Sequence, residues 1–241
     1  MAWFKDWFNT SYYHTLYGQR DENEAKLFIN NLLNFLNPHD GAVFLDLACG
    51  KGRHSFDLSS HGYKVCGVDL STESIAEAKK LANTHLEFDV HDMRKPYRLS
   101  HFDYVCNLFT SFGYFDEQND NLLTLSAVFQ ELKPNGIFVQ DFFNASKVQK
   151  NLIPYELKSI AGIDFEITKE IIDKRVIKTI RFTDQNEDFE FQEKVSLFDL
   201  EDFKTMYHKS GLDLLHVFGD YQLNAFDPEN SDRLILIAHK P

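Results

Sequence analysis

Two glycines, Gly50 and Gly52, follow the apolar run Val43-Phe-Leu-Asp-Leu-Ala48, and such a turn lets the backbone approach a ligand closely at the carboxyl end of a strand. The glycine pair alone is shared by sites for several nucleotides. Asp46 narrows the choice, because a fixed carboxylate there repels a pyrophosphate but favours the α-ammonium of a methionine moiety through a direct or water-mediated charged hydrogen bond. Ser55 stands where the dinucleotide fingerprint has its third glycine, and no Gly-x-x-x-x-Gly-Lys-Ser/Thr phosphate loop occurs. Asp69 lies seventeen positions after Gly52, at the end of the next apolar run, where doubly wound folds place the acid that hydrogen-bonds ribose hydroxyls. Its plain alternative is a helix-entry acid beside the capping residue Ser71. S-adenosylmethionine (SAM), an amino acid joined to a nucleoside, fits these residues better than NAD or a nucleoside triphosphate.

Positioning such residues requires a strand that ends at the turn, and the chain supplies one repeatedly. Strands are expected at 43–48, 64–69, 86–89, 102–107 and 136–142, with helices from the glycine turn to about 60, over 71–82 and over 119–133. This alternation implies right-handed crossovers and a mostly parallel, doubly wound α/β sheet. An amphipathic helix over 22–36 precedes it and stops at Asn37-Pro38. After Asn151 the pattern changes: 163–171, 176–182 and 188–197 alternate apolar and polar residues around polar turns at Asp173-Lys174 and 183–187, as an antiparallel meander does. A helix over 199–209 stopped by Gly211, then strands at 214–218 and 233–238, return to the first pattern. The meander, about 160–198, is therefore an insertion. The organisation expected is an N-terminal lid and helix over 1–40 and one nucleotide-binding domain over 41–241.

Composition limits the function classes. The 241 residues carry a formal net charge of −12 and no lysine or arginine run beyond isolated pairs, which argues against a nucleic-acid face. Three cysteines, Cys49, Cys66 and Cys106, are too few and too far apart for a disulfide framework or a zinc site, so no metal is expected. The N-terminal Met-Ala-Trp-Phe-Lys-Asp-Trp-Phe carries charge where a signal peptide is apolar, and no window reaches the length of a membrane span. A cytoplasmic location is the expectation.

Five motifs in order resemble the class I SAM-dependent methyltransferases. Asp46-Leu-Ala-Cys-Gly-Lys-Gly-Arg-His54 is similar to the first motif of that family, and the resemblance implies that Asp46, Ala48, Cys49, Gly50, Gly52 and Arg53 surround the methionine end. Gly67-Val-Asp69-Leu70 resembles the ribose-binding motif, and Val90-His-Asp92-Met93 the one in which the acid takes the adenine amino group while the next N–H faces the ring. Phe102-Asp-Tyr-Val-Cys-Asn107-Leu-Phe109 resembles the fourth-strand motif lining the methyl-transfer region, and Leu132-Lys-Pro-Asn-Gly136 the turn before strand five, with Asn135 replacing a glycine. The family fold implies seven strands with the last antiparallel, and a lid over the cofactor made by the N-terminal segment and the helix near 22–36, in which Tyr17 and Arg20 meet the cofactor. The product would be S-adenosylhomocysteine.

Displacement at a sulfonium needs orientation and dryness more than a base. If the acceptor must lose a proton, Tyr17, His14 and Tyr114 are candidates, with Tyr12 and His54 behind them. Asn107-Leu-Phe-Thr departs from the Asn/Asp-Pro-Pro-Tyr run of enzymes that methylate planar nitrogens, a further argument against nucleic acid. The expected partner is a small-molecule acceptor covered by the lid and the meander, with no membrane. A SAM-binding regulator without turnover and a tRNA or protein methyltransferase are the alternatives. The meander's edges also offer a surface for a homodimer.

Overall fold

In the computed structural model, which describes residues 7–18 and 22–241, the expected alternation closes into one seven-stranded sheet. Its strands are β1 (Val43–Leu47), β2 (Lys64–Asp69), β3 (Leu86–Val90), β4 (Phe102–Asn107), β5 (Leu132–Phe143), β10 (Asp213–Phe218) and β11 (Arg233–His239). They lie in the order β10-β11-β5-β4-β1-β2-β3. The first five run parallel, and β11 is antiparallel to both of its neighbours, as expected for the last strand. Helices cover both faces, which is why β1, β4 and β11 read as nearly unbroken apolar runs.

One face packs against α2 (Glu22–Leu36), α3 (Arg53–Ser60) and α4 (Thr72–Ala78), through Phe28, Ile29, Leu32, Leu58, Ile75 and Ala78. The other packs against α5 (Gln118–Glu131) and α7 (Leu200–Ser210), through Leu125, Val128, Phe203 and Met206. The α7 helix starts on a capping box, Asp199 with Asp202, and stops at Gly211, where a φ of 82° and the Phe129 ring, 3.0 Å from where a Cβ would stand, favour glycine. Asn135 does take the left-handed conformation that its place in the turn demands, φ 61°. A short helix, α6 (Ala145–Lys150), was not foreseen; Asn144 caps it by accepting from the Ser146 N–H.

The insertion is a four-stranded antiparallel sheet of β6 (Tyr155–Ile160), β7 (Ile163–Ile172), β8 (Arg175–Asp184) and β9 (Glu187–Ser196). The sequence reading expects three of these strands. The fourth, β6, escapes because its pattern is inverted: Glu156 and Lys158 pair with Ile167 and Phe165 and share their inward face, leaving Tyr155 and Leu157 exposed. The three hairpin turns put Ala161 and Gly162, Asp173 and Lys174, and Gln185 and Asn186 at positive φ, the geometry that matches strand twist.

A second difference concerns the lid. The helix α2 is part of the main core, with Phe28, Ile29 and Leu32 fully buried. The segment that reaches over the sheet is residues 7–18, including α1 (Ser11–Tyr17), which Thr10 caps through the Tyr13 N–H at 3.1 Å. Trp7 and Leu16 bury themselves against Phe165, Ile167, Ile180 and Phe182 of the insertion, forming a separate apolar cluster. No described helix is long and apolar enough to cross a membrane.

Candidate active site

A cavity of about 400 Å³ opens at the carboxyl ends of β1 to β4, roofed by residues 8–18. The turn after β1 contributes Ala48, Cys49, Gly50 and Arg53, the end of β2 Asp69 and Leu70, and the segment after β3 Asp92 and Met93. Phe109 follows β4, and His14, Tyr17 and Tyr114 close the upper side. Three residues expected at the ligand stand back from the cavity wall: Asp46, Gly52 and Asn107. Arg20 lies outside the described residues.

The two glycines do different work. Gly50 has φ 56°, and a Cβ built there meets no atom within 4 Å, so its missing side chain leaves open space beside a ligand. A Cβ on Gly52 would stand 2.5 Å from the Phe88 ring, so this glycine serves close packing of α3 on the sheet. Asp46 is buried beneath the turn and accepts a 2.5 Å hydrogen bond from the Ser55 hydroxyl. Burial pushes its carboxyl up to about 6, against the pull of that hydroxyl. Ser55, read as a missing glycine, is thus the residue that fixes the acid. Asn107 likewise braces the sheet, donating to the Leu47 carbonyl at 2.9 Å.

Asp69 reaches the cavity and organises its edge. One oxygen accepts from the Gly50 N–H and the other from the Ser71 N–H, each at 2.8 Å. Burial raises its pKa, while these backbone donors favour the carboxylate. Ser71 caps α4 through the Ser74 N–H, so the ribose-acid and helix-entry readings describe one arrangement. The Ser71 hydroxyl also donates to Asn9 Oδ1 at 2.6 Å, tying the roof to the end of β2. Asp92 is oriented by Arg94, whose Nη2 lies 2.6 Å away and whose Nη1 reaches Asp120 at 2.8 Å; these bonds hold its carboxyl below the usual range.

The cavity suits SAM. Two acids, Asp69 and Asp92, face it at successive strand ends, Gly50 leaves room beside the turn, and the aromatic rings of Tyr13, Tyr17, Phe109 and Tyr114 line it, a kind of surface that stabilises a sulfonium. Cys49 shares the wall, but burial pushes its thiol well up, which keeps it unreactive.

A second cavity of about 440 Å³ adjoins the first across Phe8, Tyr13, Tyr17, Phe109 and Tyr114, and adds Glu24, Glu193, Tyr221 and Arg233. Glu193 accepts from Trp7 Nε1 at 2.7 Å and Tyr17 Oη at 2.6 Å, and pairs with Lys178 at 3.4 Å; Lys178 also donates to Tyr17 Oη. Burial and Glu193 hold the Tyr17 phenol well above its usual pKa. Tyr17 is therefore no base at neutral pH. His14 is different: its Nε2 is buried without a hydrogen-bond partner among the described residues, and burial, then Lys51, lower its pKa. Tyr12 lines neither cavity and donates to Asp184 at 2.9 Å. Sequence reasoning missed Glu193, Lys178, Asp141 and Arg233. Only Asp141 carried a signal, an acid inside the apolar run 137–142, the same feature that singled out Asp46.

The methyltransferase-domain family matches residues 44–136. The chain is 30% identical to YqeM of Bacillus subtilis (strain 168), named as a methyltransferase, over 84% of this chain and 85% of that protein. It is 27% identical to a glycine/sarcosine N-methyltransferase of Parasynechococcus marenigrum (strain WH8102), over 92% of this chain and 78% of the relative. Among solved structures, a SAM-dependent methyltransferase from Clostridium acetobutylicum superposes with a TM-score of 0.79 at 20% identity, covering 95% of each chain. CalS10, an amino pentose methyltransferase from Micromonospora echinaspora solved with SAM bound, does so at 0.70 and 18%, covering 96% of this chain and 98% of its own. The motifs at the strand ends, the sheet order and these relatives agree: the chain belongs to the class I SAM-dependent methyltransferases.

Proposed function

We propose that the protein transfers the methyl group of SAM to a small-molecule acceptor seated in the second cavity. The observation that carries this reading is the shared wall: five aromatic residues border both cavities, so a molecule in one abuts a cofactor in the other. SAM supplies an electrophilic methyl group on a sulfonium. The protein's part is to align the two reactants and keep water out, and a roof of residues 8–18 over a sheet edge does both. Asp69 then holds the ribose, Asp92 the adenine amino group, and Asp46 acts through the turn or a water on the methionine end.

His14 lines the cofactor cavity but not the second one, so it does not serve as the base for an acceptor seated there. Glu24 and Glu193 in the second cavity favour an acceptor that carries an amine. Calorimetric titration with SAM and S-adenosylhomocysteine tests the cofactor half, and no binding at submillimolar concentration would sink it. Incubation with SAM and a panel of small amines and matched alcohols tests the acceptor half. Release of S-adenosylhomocysteine with an amine supports it, whereas tight SAM binding without release across the panel favours a regulator without turnover.

A further inference from the structure

Phe109 and Thr110 follow β4 with φ of 54° and 61°, two consecutive side-chain-bearing residues in the left-handed region. That conformation is disfavoured for any L-residue and worst for a β-branched one such as threonine, so it persists only where the surroundings impose it. The surroundings here are one residue of the next strand. Asp141, fully buried in β5, accepts from the Phe109 N–H through Oδ2 at 2.8 Å and from the Thr110 N–H through its carbonyl at 3.0 Å. Its Oδ1 accepts from Arg233 Nε at 2.8 Å, and Arg233 Nη2 reaches on to Thr110 Oγ1 at 2.9 Å. The Tyr221 hydroxyl donates to Oδ2 at 3.2 Å.

What this arrangement holds in place is the Phe109 ring. The ring stacks on His54 at 4.7 Å and on Tyr221 at 5.3 Å, with Arg53 5.1 Å from its centroid. His54 and Arg53 belong to the glycine turn of the cofactor cavity, whereas Tyr221 and Arg233 line the second cavity. Phe109 lines both. We propose that Asp141, which lines neither cavity, is a positioning residue: it clamps the left-handed turn at Phe109-Thr110 and so sets the wall across which cofactor and acceptor meet. A buried ion pair that only stabilised the fold would not need its carboxylate to bond the strained Phe109 N–H on the site side, nor its arginine to reach Thr110 Oγ1. The inference rests on the cofactor reading above, which the affinity of the unaltered protein for SAM tests by itself.

The experiment measures SAM affinity by calorimetry, with thermal stability alongside, for the unaltered protein, Asp141→Asn, Thr110→Gly and the double variant. Asp141→Asn is expected to weaken SAM about tenfold. Glycine adopts the left-handed turn without cost, so Thr110→Gly should change affinity little and, combined with Asp141→Asn, bring it back to within about threefold of the single glycine variant. A fall in melting temperature with unchanged SAM affinity overturns the proposal, as does a double variant whose losses simply add. Should Asp141→Asn not fold, Tyr221→Phe and Arg233→Lys carry the test: weakened SAM binding in both supports the clamp, and unaltered binding in both overturns it. Failure of the unaltered protein to bind SAM would remove the cofactor reading instead.

Discussion

The floor and the roof of the site are built by different means. On the floor, the contacts that matter are short in sequence: Gly50 to Asp69 spans 19 residues, Ser55 to Asp46 spans 9. On the roof they join the chain's N-terminal segment to a sheet inserted far away, Trp7 to Glu193 across 186 residues and Tyr17 to Glu193 across 176. The floor therefore forms wherever its strands form, while the roof exists only once the insertion has docked. This division matches the chemistry proposed for each: a fixed cradle for an unvarying cofactor, and a cover of side chains that sets which acceptor fits.

If the floor is a cofactor cradle, Asp69→Ala should show the largest effect. The substitution removes the ribose acceptor and frees the Gly50 and Ser71 N–H groups, a loss of about 3 kcal/mol or 100-fold in SAM affinity by calorimetry. A variant that binds SAM as the unaltered protein does would break the assignment. Glu193→Gln addresses the roof. It leaves Lys178, half of a pair only 15% and 13% exposed, without its counter-charge, while glutamine still accepts from Tyr17 and Trp7. A loss of about 2–3 kcal/mol is expected, confined to the roof. Hydrogen exchange should quicken in residues 7–18 and in β8 and β9 and stay unchanged in β1, β4 and β5. Uniform quickening would show that floor and roof unfold together.

The same division decided what could be read from the sequence. Asp92 is marked only by the resemblance to the family's motif, whereas the strand ends, the glycine turn and the place of Asp69 at the end of β2 are legible because periodicity and local spacing dictate them. The turn at Asp173-Lys174 was legible for the same reason. Glu193 and Lys178 were not, since each is one polar residue in an alternating strand and only docking of α1 turns it inward. The β6 strand was lost because its charged side faces in and its apolar side faces out. Asp141 is the instructive case: an acid in an apolar strand is marked at Asp46 by the glycine turn that follows it, and unmarked at position 141, where its partners Phe109, Tyr221 and Arg233 come from three other segments.

A smaller effect should come from Asp46→Asn, and its sign depends on pH. The folded-state pKa is raised from 3.8 to about 6, so above pH 6 the native protein bears a buried charge that the unfolded chain carries at no cost. Stability of the unaltered protein should rise as pH falls from 8 through 6 and level off below about 4. Asparagine keeps the Ser55 bond without the charge, so the variant should be more stable by about 1–3 kcal/mol at pH 8, with that advantage gone by pH 4. SAM affinity should fall at the same time, a trade of function for stability. Equal melting curves at pH 8 would mean that the carboxylate is better solvated than its burial suggests.

Tyr12 and Tyr17 give the finest test, because they lie five residues apart in α1 and differ in what their hydroxyls meet. The Tyr17 hydroxyl is enclosed with Glu193 and Lys178, and its removal in Tyr17→Phe leaves a buried carboxylate short of a donor. The Tyr12 hydroxyl meets Asp184 at the protein surface, where water substitutes for it, while its ring packs on Phe182 and Phe189. Tyr12→Phe keeps the ring and should leave melting temperature and SAM affinity unchanged, whereas Tyr17→Phe should loosen the roof in the manner of Glu193→Gln, to a lesser degree. Equal losses from both would mean that the roof is held by many interchangeable surface contacts. Loss from Tyr17 alone places the roof's hold in one buried charge pair, Glu193 with Lys178, and makes its carboxylate, which borders the second cavity, the group through which an amine acceptor would be felt.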